Sequence, residues 1–138
     1  MNAYRLADLS TGINYSFQIN VTAQMMDQFE ILSGDANPLH TERDFALSCG
    51  YRDRVVYGML TASFYSTLVG MYLPGRYALL QGVDASFIAP VFPGDELTVF
   101  GEIISIHPIL KQIEIRAHIS NQLGKKVSKA KIRSGINE

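Results

Sequence analysis

Apolar and polar residues follow two different rhythms along the chain, and the change between them organises it. Ile13 to Ile19 (I-N-Y-S-F-Q-I) alternates with period two and predicts a half-buried strand. Behind Thr22, Met25, Met26, Phe29 and Leu32 fall at helical spacing. The Thr22 hydroxyl can accept from the free N–H groups of a first helical turn, and Gly34 suits the left-handed turn that stops a helix. Gly34 to His40 concentrates Gly, Asp, Asn and Pro, which is loop chemistry. Thr41 with Asp44 resembles a capping box and predicts a short helix ending at Gly50. From Gly58 to about Leu73 the residues are apolar or small nearly all round, which predicts a buried helix closed by Pro74-Gly75.

The second half reads as strand after strand: Tyr77 to Ala89, Glu96 to His107, Ile109 to Asn121 and Lys125 to Arg133. Ile113, Ile115, Ala117 and Ile119 share one face; Glu114, Arg116, His118 and Ser120 share the other. Such alternation belongs to an antiparallel sheet with one covered face. Asn121 to Lys125, with Gly124, forms the hairpin turn. One buried helix against a large antiparallel sheet is an α+β arrangement in a single domain, residues 1–138. One helix cannot close the sheet edges, so pairing with a second copy is expected, as a homodimer or a dimer of dimers.

Composition narrows the class. The 138 residues are 47% hydrophobic, enough for a core without disulfides, and Cys49 is the only cysteine. Net charge is −1, from 12 basic and 13 acidic residues, which gives no general pull on nucleic acid. No run of apolar residues is long enough for a membrane span. Met1 to Ser10 lacks the apolar core of a signal peptide, so a cytoplasmic location is expected.

The informative stretch is Phe29 to Ala46, F-E-I-L-S-G-D-A-N-P-L-H-T-E-R-D-F-A. It carries an aromatic residue, a short spacer, an aliphatic and a small residue, then Gly-Asp-x-Asn-Pro-aliphatic-His, and Ala46 after five more positions. Phe29, Leu32, Ser33, Gly34, Asp35, Asn37, Pro38, Leu39, His40 and Ala46 all fit it. In this the chain resembles the (R)-specific enoyl-CoA hydratases and the wider MaoC-like dehydratases, over roughly residues 15–133. The resemblance implies a hot-dog fold, in which a long central helix is wrapped by an antiparallel sheet and a helical overhang carries the catalytic loop. It also implies hydration of a 2-enoyl thioester to an (R)-3-hydroxyacyl thioester, and the reverse dehydration. Asp35 and His40 are the implied acid–base pair, the Gly58 amide holds the thioester oxygen, and Ser66 stands beside the aspartate. Coenzyme A or an acyl carrier protein enters as part of the substrate, with no separate cofactor. The chain departs from the family at Tyr57-Gly58, where many members have His-Gly; a tyrosine tip hydrogen-bonds but does not titrate near neutrality.

The residues support this chemistry on their own terms. Asp35 and His40 flank a rigid Asn-Pro turn, because Pro38 fixes its own φ and biases Asn37 toward an extended conformation. Asn37 can tie the loop to itself through its amide. Hydration requires one group to take a proton from water and one to deliver a proton to carbon, and a carboxyl and an imidazole can do both. A free N–H at the start of a buried helix suits the charge that builds on the thioester oxygen.

Other candidates read as structure. Cys49 beside Gly50 reads as packing, with no base at an activating spacing. His107 and His118 form no ligand spacing with His40, so no metal site is expected. Lys125, Lys126, Lys129, Lys131 and Arg133 read as a solvated strand face, with a coenzyme A or carrier-protein phosphate as the alternative. Two competing functions share the fold: an acyl-CoA thioesterase, which would release free thiol, and a non-catalytic acyl-thioester-binding subunit, which would not need Asp35.

Overall fold

Five strands form one antiparallel sheet, in the order β1-β3-β4-β5-β2, in a computed structural model that describes all 138 residues. β1 is Asn14–Asn20, β2 Ala78–Phe87, β3 Glu96–His107, β4 Gln112–Ser120 and β5 Lys126–Ile136. The alternation read from the sequence sets the faces: Ile113, Ile115, Ala117 and Ile119 are buried, and their polar neighbours face outward. Between β1 and β2 lie α1 (Ala23–Ser33), α2 (Pro38–Thr41), α3 (Arg43–Ser48) and α4 (Gly58–Thr67), and α4 continues into a π-helical turn, Leu68–Tyr72.

α4 and the π-helical turn lie against one face of the sheet. Leu60, Phe64, Tyr65, Leu68 and Val69 are buried there, and the Tyr65 hydroxyl donates to Ser128 Oγ of β5 at 2.9 Å. Burial raises the Tyr65 pKa above its ordinary value, partly offset by the bond to Ser128. The helix and sheet approach so closely that a Cβ at Gly101 would overlap Leu68 and press on Ile115. This is the expected α+β arrangement, a hot-dog fold with α1–α3 as the overhang. No helix is long and apolar enough to cross a membrane.

Local chemistry explains most helix ends. Thr22 Oγ1 accepts from Met25 N at 3.1 Å, and Gly34 ends α1 at φ 75°, as the sequence predicts. Four expectations are corrected. Thr41 does not cap α3; its hydroxyl turns back to the Ala36 and Asn37 carbonyls, Glu42 precedes α3 without a side-chain cap bond, and Asn37 caps α2 by accepting from Leu39 N. The stretch Gly34 to His40 is not loop throughout, since Pro38 preorganises a helical turn at its first position. Leu32 is not core: it and Ile31 are 82% and 85% exposed at the outer end of α1. Nor is α4 buried all round, because Met59, Ser63 and Ser66 form an exposed stripe along it.

Candidate active site

The loop between α1 and α2 and the first turn of α4 meet at a concavity of about 350 Å³. Asp35, His40, Tyr57, Gly58 and Phe87 all line it. α1 ends at Gly34, which turns the chain so that Asp35 follows at once; Asn37 and Pro38 then start α2, which carries His40. The signature thus works as a device for placing two side chains at one hollow. Asp35 is exposed; its Oδ1 accepts from Asn37 N at 3.0 Å, and Oδ2 has no partner in the chain.

His40 Nδ1 lies 2.6 Å from the carbonyl oxygen of Val55. A carbonyl can only accept, so Nδ1 carries the hydrogen, and in the neutral ring Nε2 is the free acceptor. The Val55 carbonyl is held in turn by its own strand of contacts: Val55 N donates to Leu39 O at 3.1 Å and Val56 N to Val91 O at 2.8 Å.

Tyr57 is the residue before α4 and offers it no side-chain cap. The N–H of Gly58 has no acceptor in the chain, as expected for the first position of a helix. The ring of Phe87, at the end of β2, lies over this glycine: a Cβ on Gly58 would meet it at 3.1 Å. On the far side of Phe87 is a second hollow of about 330 Å³, mostly apolar, lined by Val55, Val56, Ile88, Val91 and Val127 and shared with His40, Gly58 and Phe87. The two hollows therefore adjoin at the helix N-terminus, sharing His40, Gly58 and Phe87.

The structure brings Asp35, His40, Tyr57 and Gly58 together, with Asn37 supporting the loop between the first two. It does not bring Ser66 to them. Ser66 lies beyond two turns of α4 from Gly58, on the exposed side of the helix, and lines neither hollow. Sequence reasoning missed two participants. The Val55 carbonyl carries no side-chain signal, and Phe87 reads simply as a strand residue. The basic run of β5 lies on the outer face, over a broad hollow of about 580 Å³ that also holds Asp84 and Glu102. There Lys131 pairs with Glu114 and Arg116 with Glu102, at 3.6 and 3.3 Å, so the face is a mixed, solvated one.

Comparison with known proteins gives a consistent result. A family model described as "MaoC like domain" matches residues 8–124. An (R)-specific enoyl-CoA hydratase of Aeromonas caviae is 42% identical over 78 residues, covering 56% of this chain and 58% of that enzyme. The aligned stretch thus spans little more than half of that relative. One from Rhodospirillum rubrum is 31% identical over 109 residues, covering 79% of this chain and 76% of that one. Among solved structures, the (R)-hydratase of A. caviae involved in PHA biosynthesis superposes with a TM-score of 0.89 at 30% identity, covering 93% of this chain and 97% of the other. With the signature loop, the fold and these likenesses in agreement, the chain belongs to the MaoC-like domain family.

Proposed function

We propose that the chain is an (R)-specific 2-enoyl thioester hydratase, a hydro-lyase that also runs the reverse dehydration of 3-hydroxyacyl thioesters. The observation that carries this is the tautomer of His40. With Nδ1–H committed to Val55, Nε2 is a free acceptor at the hollow that Asp35 also lines. One water can then donate one hydrogen to Nε2 and the other to the unpartnered Asp35 oxygen. Its oxygen adds to C3 of the enoyl group, the C2–C3 π electrons move toward the thioester oxygen, and His40 takes the proton. The Gly58 N–H donates to that oxygen as its charge grows, a contact worth about 2.7–4 kcal/mol in comparable sites. The imidazolium then returns a proton to C2, so the product has gained one water and the ring is neutral again.

The chemistry asks for no cofactor: acyl-CoA or acyl carrier protein is part of the substrate, and the apolar hollow beyond Phe87 offers room for apolar parts of it. A cytoplasmic location is part of the same reading, resting on the absence of an apolar run in Met1 to Ser10. A second copy is also part of this reading. β2 pairs only with β5, and along this edge strand Leu80, Val83 and Phe87 stand exposed on one face. Ser66 on the exposed stripe of α4 acts, on this reading, only across such an interface.

The test follows the enoyl absorbance of crotonyl-CoA with wild type and Asp35→Asn, alongside a free-thiol assay. The expected result is loss of the enoyl band without thiol release, slowed on the order of 10²–10⁴-fold by the substitution. Thiol release would make the protein a thioesterase. Binding without turnover would make it an acyl-thioester-binding subunit.

A further inference from the structure

Tyr57 stands where the chain departs from its family, and its contacts differ in kind from those of a spectator. It is only 2% exposed, yet it lines the hollow. Its hydroxyl donates to the backbone carbonyl of Asp35 at 2.6 Å. Its ring stacks on the His40 imidazole, with centroids 4.1 Å apart and planes at 30°, and Phe29 packs against it at 4.8 Å. We propose that Tyr57 is the positioning residue of the acid–base pair, holding the Asp35 loop through its hydroxyl and the His40 ring through its face. This deepens the hydratase reading and rests on it for its kinetic consequences.

Three observations carry the proposal. First, the other hydrogen bonds to residues 33–37 all come from within residues 29–41: Gly34 N to Glu30, Asp35 N to Ser33, Asn37 N to Asp35, and Thr41 to Ala36. Those bonds shape the loop but do not attach it to the rest of the molecule. The Tyr57 hydroxyl alone reaches it by a hydrogen bond from another part of the chain. Second, His40 is pinned at one nitrogen by Val55, and one hydrogen bond leaves the tilt of a ring free. A stacked neighbour removes that freedom and so fixes where Nε2 points. Third, Tyr57 immediately precedes Gly58, so the side chain that holds both members of the pair is fastened to the turn that presents the amide.

The hydroxyl is committed to a carbonyl, and burial, with the charges of Glu30 and Asp35 nearby, keeps the phenol protonated and donating despite the opposing charge of Arg54. Tyr57 therefore acts through Asp35 and His40 and passes no proton to substrate.

The test uses Tyr57→Phe, which keeps the ring and loses the hydroxyl, and Tyr57→Leu, which loses both. On crotonyl-CoA, Tyr57→Phe should lower kcat on the order of tenfold or more with KM nearly unchanged, because a loosened carboxylate misplaces water rather than thioester. Combined with Asp35→Asn, it should cost almost nothing further, since its effect runs through that carboxylate. By NMR, the carbon-bound ring protons of His40 should stay in place in Tyr57→Phe and move downfield in Tyr57→Leu as the stacked ring is lost. Wild-type kcat in Tyr57→Phe, or a loss that adds fully to that of Asp35→Asn, would overturn the proposal. If the wild type hydrates no enoyl thioester, the hydratase reading fails. The NMR comparison then still decides whether Tyr57 holds His40: unchanged resonances in Tyr57→Leu would refute it.

Discussion

At the scale of single residues, the site depends on atoms that have no other partner: His40 Nε2, one oxygen of Asp35 and the N–H of Gly58. The last is the most sensitive to crowding. A methyl group on Gly58 would meet the Phe87 ring at 3.1–3.2 Å, and that ring must yield by a few tenths of an ångström. Phe87 is half exposed and can yield outward. Gly58→Ala should therefore fold with unchanged thermal stability, while displacement of the ring lowers kcat/KM by roughly tenfold; a thermal melt beside a crotonyl-CoA assay checks both. The meeting of Asp35 and His40 was legible in the sequence because the Gly-Asp-x-Asn-Pro-Leu-His order matches a family signature; turn chemistry alone would leave Asp35 a turn residue. The roles of Val55 and Phe87 were not. Val55 contributes a carbonyl that any residue could offer, and Phe87 reaches Gly58 only because β2 ends beside α4.

At the scale of elements, β4 shows how far periodicity reaches and where it stops. Its two faces were legible residue by residue, and β3 has the ends its pattern implies. Periodicity does not reveal what a polar face does to a titrating group. His118 stacks on Phe100 at 5.0 Å on the outer face, and burial first, then the charge of Lys126, lowers its pKa below 6.5. A histidine depressed by folding binds fewer protons in the native state than in the unfolded chain. Its contribution to stability is thus full above pH 6.5 and is lost as the pH falls through the folded value. His118→Gln should flatten the dependence of the urea midpoint on pH between about pH 7 and about pH 5, measured against wild type. The ends of α2 and α3 escaped the sequence for a different reason. Thr41 had two uses open to it, as a cap for the next helix or as a donor back to Ala36 and Asn37, and only the folded loop decides between them.

At the scale of the whole molecule, part of the exposed apolar surface is concentrated on the edge strand β2. Leu80, Val83 and Phe87, register partners of the buried Ser134, Ile132 and Ser128, share one face of the edge strand β2, and Met59 projects from α4 beside the site. A ten-residue strand with one unpaired edge is a template for pairing with another chain unless something covers it. A second copy in antiparallel register fits such an edge by symmetry. Val83→Lys, which puts a charge in the middle of this surface, should convert a dimer to monomers in light scattering; a wild type already monomeric would refute the pairing. The sequence carried this expectation only as a count of uncovered surfaces. Leu32 shows the gap: its helical spacing sets it with Phe29, but in the last turn of α1 Phe29 packs on Tyr57 while Leu32 and Ile31 meet only solvent.

The hydratase reading makes one demand that neither a thioesterase nor a binding subunit meets. Crotonyl-CoA incubated with the protein in deuterium oxide, with chiral analysis of the product, tests it most directly. The account predicts (R)-3-hydroxybutyryl-CoA carrying one deuterium at C2 and no free thiol. The (S) product, or release of coenzyme A with the double bond intact, would contradict it.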